Sequence, residues 1–417
     1  MKNINKRGQE KMTVQVFNGC KVSSGKKQAI EKSNFLTVKK AEEIKDFFKT
    51  VEEYKETPLV SLDSLAEKLG VKKIYVKDES TRMGLNAFKV IGGLYGISKI
   101  LCEKLNVELH EITFDYLLSE EVYEVIKDFV FISATDGNHG KGIAWMANKL
   151  GCKCVIYMPK NTVSSRVEAI ESLGGTVHVT EMNYDDTMRE VVKIAEENNW
   201  YHVQDQAWGE YTTIPNWISE GYMLIAHEAN EQMIADETPA PTHIMLQAGA
   251  GSFAFGIAGY YADAYANNKP HMTILEPENA ACYFESIQQD RYTTVSGELK
   301  TIMAGLSVGE PNTEAWTTLK AVTDAFVTLP DYVSARGMRV LASPLGTDQR
   351  VVSGESGSSI GIGLLSLVDT KEAAGLKETL QLDEHSVVLL FNTEGNTDPE
   401  GYENIVWGGC YPTPTMS

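Results

Sequence analysis

The stretch Asn86-Ala-Phe-Lys-Val-Ile-Gly-Gly93 joins two different periodicities. Before it, residues 73–77 read as a strand rich in β-branched and aromatic side chains, followed by the polar turn Asp78-Glu-Ser-Thr-Arg-Met-Gly84. After it, apolar residues at helical spacing run to about Leu105. Lys89 therefore falls in the first turn of a helix that follows a strand. Phe88 removes water from its vicinity and the helix N-terminus adds partial positive charge, and both favour a neutral, nucleophilic amine. Such an amine can form a Schiff base. A single lysine at a helix start is more often an ordinary solvated residue, so its meaning depends on the rest of the chain.

The alternation of strand and helix recurs. Strand-length apolar runs lie at 129–133, 154–158, 177–180, 201–204, 244–247, 273–276, 325–329 and 387–391, with helical patterns at 141–150, 165–173, 185–198, 217–233 and 252–264. This order predicts an α/β fold with parallel sheets buried on both faces. A chain of 417 residues exceeds the usual size of a single core, so two domains are expected. The run Asp236-Glu-Thr-Pro-Ala-Pro-Thr242 blocks helix continuation, and 107–121 is polar without a firm period. These boundaries predict a larger domain from 1–100 and 238–417, with a smaller α/β domain, 101–237, inserted into it.

Lys and Arg number 38 against 57 Asp and Glu, a formal charge of −19. That balance argues against nucleic acid or an anionic membrane as partner, because phosphate binding relies on clustered cations. It leaves small zwitterionic or cationic substrates open. The six cysteines, Cys20, Cys102, Cys152, Cys154, Cys282 and Cys410, are too scattered for a disulfide scaffold. Reduced thiols of a cytoplasmic protein are expected. Residues 1–12 lack the apolar segment of a secretory signal and read as a frayed tail. The run 244–264 carries Gln247, Asp263 and several glycines, a poor membrane span.

Three further stretches carry chemistry. In Ser133-Ala-Thr-Asp-Gly-Asn-His-Gly140, small residues at a strand-to-helix turn expose N–H groups suited to a carboxylate. Ser133, Thr135, Asp136 and Gly137 are therefore candidate substrate contacts, and Asn138 adds a side-chain donor. An ordinary capped turn would look similar. Gln247-Ala-Gly-Ala-Gly-Ser-Phe-Ala-Phe-Gly256 is again strand, glycine loop and helix, but fits neither the dinucleotide nor the P-loop spacing. It can hold a single phosphate on backbone N–H groups with help from Ser252; close helix–strand packing is the alternative. Asn392-Thr-Glu-Gly-Asn396 places Thr393 at a strand's carboxyl end, where α/β sheets meet ligands. A lysine amine, an asparagine loop, a one-phosphate cradle and a terminal hydroxyl together point to pyridoxal phosphate.

Asn86-Ala-Phe-Lys89, Thr135-Asp-Gly-Asn-His-Gly140, Tyr157-Met-Pro-Lys160, Met182-Asn-Tyr-Asp-Asp186, Val203-Gln-Asp205 with Ala207-Trp208, Ser353-Gly-Glu-Ser-Gly357 and Thr393-Glu-Gly395 stand in one chain. This set resembles the fold type II pyridoxal-phosphate enzymes, which include serine and threonine dehydratases and threonine synthase. More narrowly it is similar to the diaminopropionate ammonia-lyases, over roughly 55–408. The resemblance implies a two-domain α/β fold, pyridoxal 5'-phosphate as cofactor and a homodimer. It implies Lys89 as the Schiff-base lysine with Phe88 beside it, and Asn138 on the ring hydroxyl. Gly249, Ala250, Gly251, Ser252, Phe253 and Gly256 would surround the phosphate, with Thr393 partnering the pyridine nitrogen. A neutral hydroxyl there leaves that nitrogen unprotonated, a weaker electron sink that favours elimination over transamination.

Asp136 departs from the simpler dehydratase loop, which resembles Ser-x-Gly-Asn-His. With Asp205 it suits a substrate whose β substituent is an ammonium, and the resemblance makes it the base for the D enantiomer. The expected reaction converts D- or L-2,3-diaminopropionate to pyruvate and two ammonia. The alternatives are a serine or threonine dehydratase and a catalytically silent pyridoxal-phosphate-binding protein. Lys89 and both aspartates argue against the last. His139, Asp185 and Asp186 read as structural, and no metal is expected.

Overall fold

The computed structural model describes residues 14–25, 35–135, 137–160 and 162–414. Its strands are β1 (Val14–Phe17), β2 (Cys20–Ser24), β3 (Leu59–Ser61), β4 (Lys73–Asp78), β5 (Val130–Ala134), β6 (Lys153–Met158), β7 (Thr176–Val179), β8 (Tyr201–His202), β9 (His243–Gln247), β10 (His271–Pro277), β11 (Ala325–Leu329) and β12 (Val387–Asn392). They form an eight-stranded sheet, ordered β1-β2-β11-β10-β9-β12-β4-β3, and a four-stranded sheet, ordered β7-β6-β5-β8. The pairings from β11 across to β4 are parallel, as is the whole smaller sheet. The edge pairings β1–β2, β2–β11 and β3–β4 are antiparallel. β9 and β12 bury every residue, as strands covered on both faces do.

Each strand expected from the sequence is present, with ends within two residues of the expected ones. Among the elements not expected are the β1–β2 hairpin, β3, and the helix Val38–Phe48. The larger sheet takes its strands from 14–78 and 243–392, and the smaller from 130–202. One apolar cluster joins the two, running from Phe131 and Ile156 through the helices to Leu246 and Phe391.

Three helices meet in that cluster. Lys89–Leu105 packs against Asn138–Lys149 on one side and Thr213–Ala235 on the other. A Cβ on Gly142 would stand 2.9 Å from the Val90 Cα and 3.0 Å from the Lys89 carbonyl oxygen. Only a residue without a side chain permits that approach, and it brings the start of the first helix against the Asn138 helix. The turn before Lys89 is held by buried charge. Arg82 reaches Glu79 at 2.7 Å and Glu228 at 2.8 Å, and Lys77 reaches Glu228 at 2.7 Å, all without exposure to solvent. The sequence reads Asp78–Gly84 only as a polar turn, because its partner Glu228 lies on a distant helix. Removing one member of such a network strands the others, at a cost of about 3–5 kcal/mol.

Candidate active site

A cavity of about 750 Å³ opens between the two sheets, where the carboxyl ends of β5, β9 and β12 face it. That volume holds a cofactor together with a small substrate. Lys89 is the first residue of its helix, and Phe88 precedes it. The Lys89 ammonium lies 5.6 Å from the centre of the Phe88 ring, which itself packs on Tyr222 and Phe253. Its partner is the carboxylate of Asp205. Burial by itself would raise the Asp205 carboxyl, but the Lys89 ammonium, with help from His139, outweighs this and holds it at about 2. The structure thus gives Lys89 an anionic partner that local sequence alone does not indicate.

The glycine loop follows β9 and enters the helix Ser252–Ala264. The Ala250 carbonyl accepts from the Tyr283 hydroxyl at 2.6 Å and from the Asn312 amide at 2.8 Å. The backbone N–H groups of Gly249, Ala250, Gly251, Ser252 and Phe253 meet no acceptor among the described residues, and all of these residues line the cavity. A row of unengaged amides at a helix N-terminus is an anion cradle. The Ser252 hydroxyl donates to the Asp205 carbonyl and accepts from Asn312 Nδ2 at 2.9 Å, so it ties the loop to Asp205.

Gly251 has φ of +98°, and a Cβ there would stand 2.1 Å from the Tyr283 hydroxyl. The close approach is to Tyr283, so packing against that side chain requires the glycine. Gly256, expected beside the phosphate, lies outside the cavity lining; a Cβ there would be 2.3 Å from the Ser219 carbonyl oxygen. It serves contact with the Thr213–Ala235 helix.

In the asparagine loop, Thr135 and Asn138 line the cavity. Thr135 Oγ1 accepts from the Gly137 amide at 2.9 Å, shaping the turn. Ser133 does not line the cavity; its hydroxyl donates to Gln204 Oε1 at 2.8 Å within the small sheet. Gly137 is likewise absent from the lining. Asp136 lies outside the described residues. Thr393 is buried at the end of β12, its hydroxyl donating to the Ser356 carbonyl at 3.1 Å and accepting from Gln247 Nε2 at 2.9 Å.

Glu394, Arg166 and Glu355 carried no assignment from sequence. Asn138 Nδ2 donates to Glu394 Oε2 at 2.7 Å, and Arg166 stands 3.3 Å from Glu355. All four line the cavity. The glutamates belong to the Ser353–Gly357 and Thr393–Gly395 motifs, which was the only signal available for them. The six cysteines are unpaired, and no helix among the described residues is long and apolar enough to cross a membrane. Among the described residues no cluster of three or more His, Cys, Asp or Glu could hold a metal ion.

Amides for one phosphate, a primary amine in the same cavity, an amide donor at Asn138 and the aromatic wall of Phe88 fit pyridoxal phosphate. Known proteins agree. The chain is 44% identical over 380 residues to diaminopropionate ammonia-lyase of Escherichia coli (strain K12), covering 91% of this chain and 94% of that one. The holo form of diaminopropionate ammonia lyase from Escherichia coli superposes with a TM-score of 0.90 at 41% identity, over 97% of this chain and all of that one. The same enzyme in complex with an aminoacrylate-PLP azomethine reaction intermediate gives 0.87 at 41% identity, with coverage of 97% and 100%. The family model for pyridoxal-phosphate dependent enzymes matches residues 51–389, and the chain belongs to that family.

Proposed function

We propose that this chain catalyses the α,β-elimination of ammonia from 2,3-diaminopropionate, yielding pyruvate and a second ammonia. The observation that carries the reading is one cavity in which Lys89 pairs with a carboxylate held ionised and faces the amides of Gly249–Phe253. The likeness to diaminopropionate ammonia-lyases supports the choice of substrate. When bound, pyridoxal phosphate supplies the electron sink that acidifies the Cα proton of an attached amino acid.

The protein supplies the rest. Lys89 offers the amine for covalent attachment and takes the Cα proton. The loop amides bind the phosphate, Asn138 donates towards the ring hydroxyl, and Thr393 places a neutral hydroxyl at the ring nitrogen. Asp205, ionised across the physiological range, attracts the β-ammonium of the substrate. Asp136 is assigned the Cα proton of the D enantiomer, since a base on the Lys89 side serves only one face. The domain division at about 101 and 237 belongs to this reading, as do a cytoplasmic location and a homodimer, which sedimentation of the purified protein tests.

The deciding experiment is turnover of diaminopropionate, serine and threonine by the purified holoenzyme, with 2-oxo acid release as readout. Pyruvate from diaminopropionate at a kcat/KM well above that for the hydroxy amino acids is expected. A preference for serine or threonine would make the chain a dehydratase, and binding of cofactor without turnover would make it a silent carrier.

A further inference from the structure

Glu394 follows Thr393 just beyond β12 and is only 4% exposed. Its main chain is held from two sides. On one side lies the segment that leads into Lys89. Ala87 forms an antiparallel bridge to Glu394, the Phe88 amide donates to the Thr393 carbonyl at 3.0 Å, and the Gly395 amide donates to the Asn86 carbonyl at 2.9 Å. On the other side the Glu394 carbonyl accepts from the Gly354 amide at 3.1 Å. A Cβ on Gly354 would stand 2.7 Å from Glu394 Oε1, so the glycine leaves the space through which the glutamate side chain runs.

From this mount the side chain reaches the first residue of the Asn138–Lys149 helix. Oε1 accepts from the Ser356 amide at 3.0 Å, and Oε2 accepts from Asn138 Nδ2 at 2.7 Å and from the Thr397 hydroxyl at 3.4 Å. In each of these contacts the glutamate is the acceptor. The Asn138 amide carries a carbonyl oxygen and an NH2 group, which a half-turn of the amide exchanges. A partner that only accepts decides between the two orientations. With NH2 towards Glu394 a hydrogen bond forms; with the carbonyl there, two acceptors oppose each other. NH2 has two hydrogens, so Glu394 takes one and leaves the second for the cavity that Asn138 lines.

We propose that Glu394 is a positioning residue that sets the Asn138 amide as a hydrogen-bond donor to the ring oxygen of pyridoxal phosphate. The inference rests on the placement of that oxygen at Asn138 under the proposed function. Without Glu394 the amide is free to turn and to present its carbonyl to the ring oxygen. A donor at that place favours the deprotonated, negatively charged ring oxygen, and a carbonyl disfavours it. Glu394 itself makes and breaks no bond. It acts through Asn138.

The test compares wild-type protein, Glu394→Ala, Asn138→Ala and the double variant, each loaded with pyridoxal phosphate. One readout is the affinity for the cofactor. The other is the ratio of its visible band, given by the deprotonated ring oxygen, to its near-ultraviolet band, given by the protonated one. Each single variant is expected to lower that ratio and to weaken cofactor binding about ten-fold, as loss of one hydrogen bond to a charged group does. The double variant should match Asn138→Ala within about two-fold, because Glu394 then has nothing to orient. Glu394→Gln offers one carbonyl to the two amides of Ser356 and Asn138, so it should fall between wild type and Glu394→Ala. Where Glu394→Ala does not fold, Glu394→Gln, alone and with Asn138→Ala, is compared in the same way. Wild-type affinity and band ratio in Glu394→Ala overturn the proposal alone. So does an effect of Glu394→Ala that is equally large with and without Asn138, the mark of a purely structural or direct electrostatic role. An Asn138→Ala protein with wild-type affinity and spectrum puts the ring oxygen elsewhere, and takes the proposal with it.

Discussion

Asp205 depends on Lys89 for its charge state. Asp205 is depressed from 3.8 to about 2 in the folded protein, so its contribution to stability is complete above pH 4 and lost as pH falls through about 2. In cofactor-free Lys89→Ala the burial of Asp205 loses its main opposing charge, and stability at pH 7 should fall by about 3 kcal/mol. Urea unfolding checks this, and Lys89→Ala/Asp205→Asn should regain at least half the loss, because the orphaned charge goes as well. In the holoenzyme, borohydride reduction and peptide mapping should place the pyridoxyl group on Lys89; a label elsewhere would remove its assigned role. Asp136→Asn should lose about 10²-fold on D-diaminopropionate and little on the L form. Equal losses on both would make Asp136 a general binding residue. Lys89 and Asp205 were legible because each sits in a compact local motif. Glu355 was not, since its meaning arises from Arg166, 189 residues away in the chain.

The glycine loop shows what a single element discloses and what it hides. Its strand, turn and helix were legible from composition, but which glycines face a ligand was not, because that depends on neighbours contributed by other elements. Gly256→Ala should lower the melting temperature through the Ser219 carbonyl, while the folded fraction keeps its cofactor affinity. Gly251→Ala should impair both, because the positive φ and Tyr283 act on folding and the loop amides act on the cofactor. Cofactor titration beside thermal unfolding separates the cases. A Gly256→Ala protein with wild-type stability and weakened cofactor binding would return that residue to the phosphate site. The β1–β2 hairpin was missed although its signal is plain. Asn18-Gly19, both at positive φ, stands between alternating apolar residues, the pattern of a tight hairpin turn.

Across the whole molecule, buried carboxyls couple the fold to pH. Glu276 lies in β10, and its oxygens accept from the amides of Tyr283 at 2.7 Å and Phe284 at 2.8 Å at the start of the helix Cys282–Gln289. Tyr283 in turn holds the Ala250 carbonyl, so Glu276 supports the glycine loop from behind. Its burial raises the carboxyl from 4.5 to about 8, with the two amides opposing. A group raised on folding gives its full contribution below its unfolded value and loses it as pH rises through the folded one. Wild type should therefore lose stability relative to Glu276→Gln between pH 4.5 and about 8, by up to about 1.4 kcal/mol per pH unit. The glutamine can accept only one of the two amides well, which costs about 1 kcal/mol at every pH. The two unfolding curves should then cross: wild type more stable near pH 5, the variant more stable near pH 8. A constant offset with no crossing would mean that Glu276 stays ionised in the fold. The two amides, which oppose the rise, would then outweigh burial, and the loop behind the cradle would rest on a fixed negative charge.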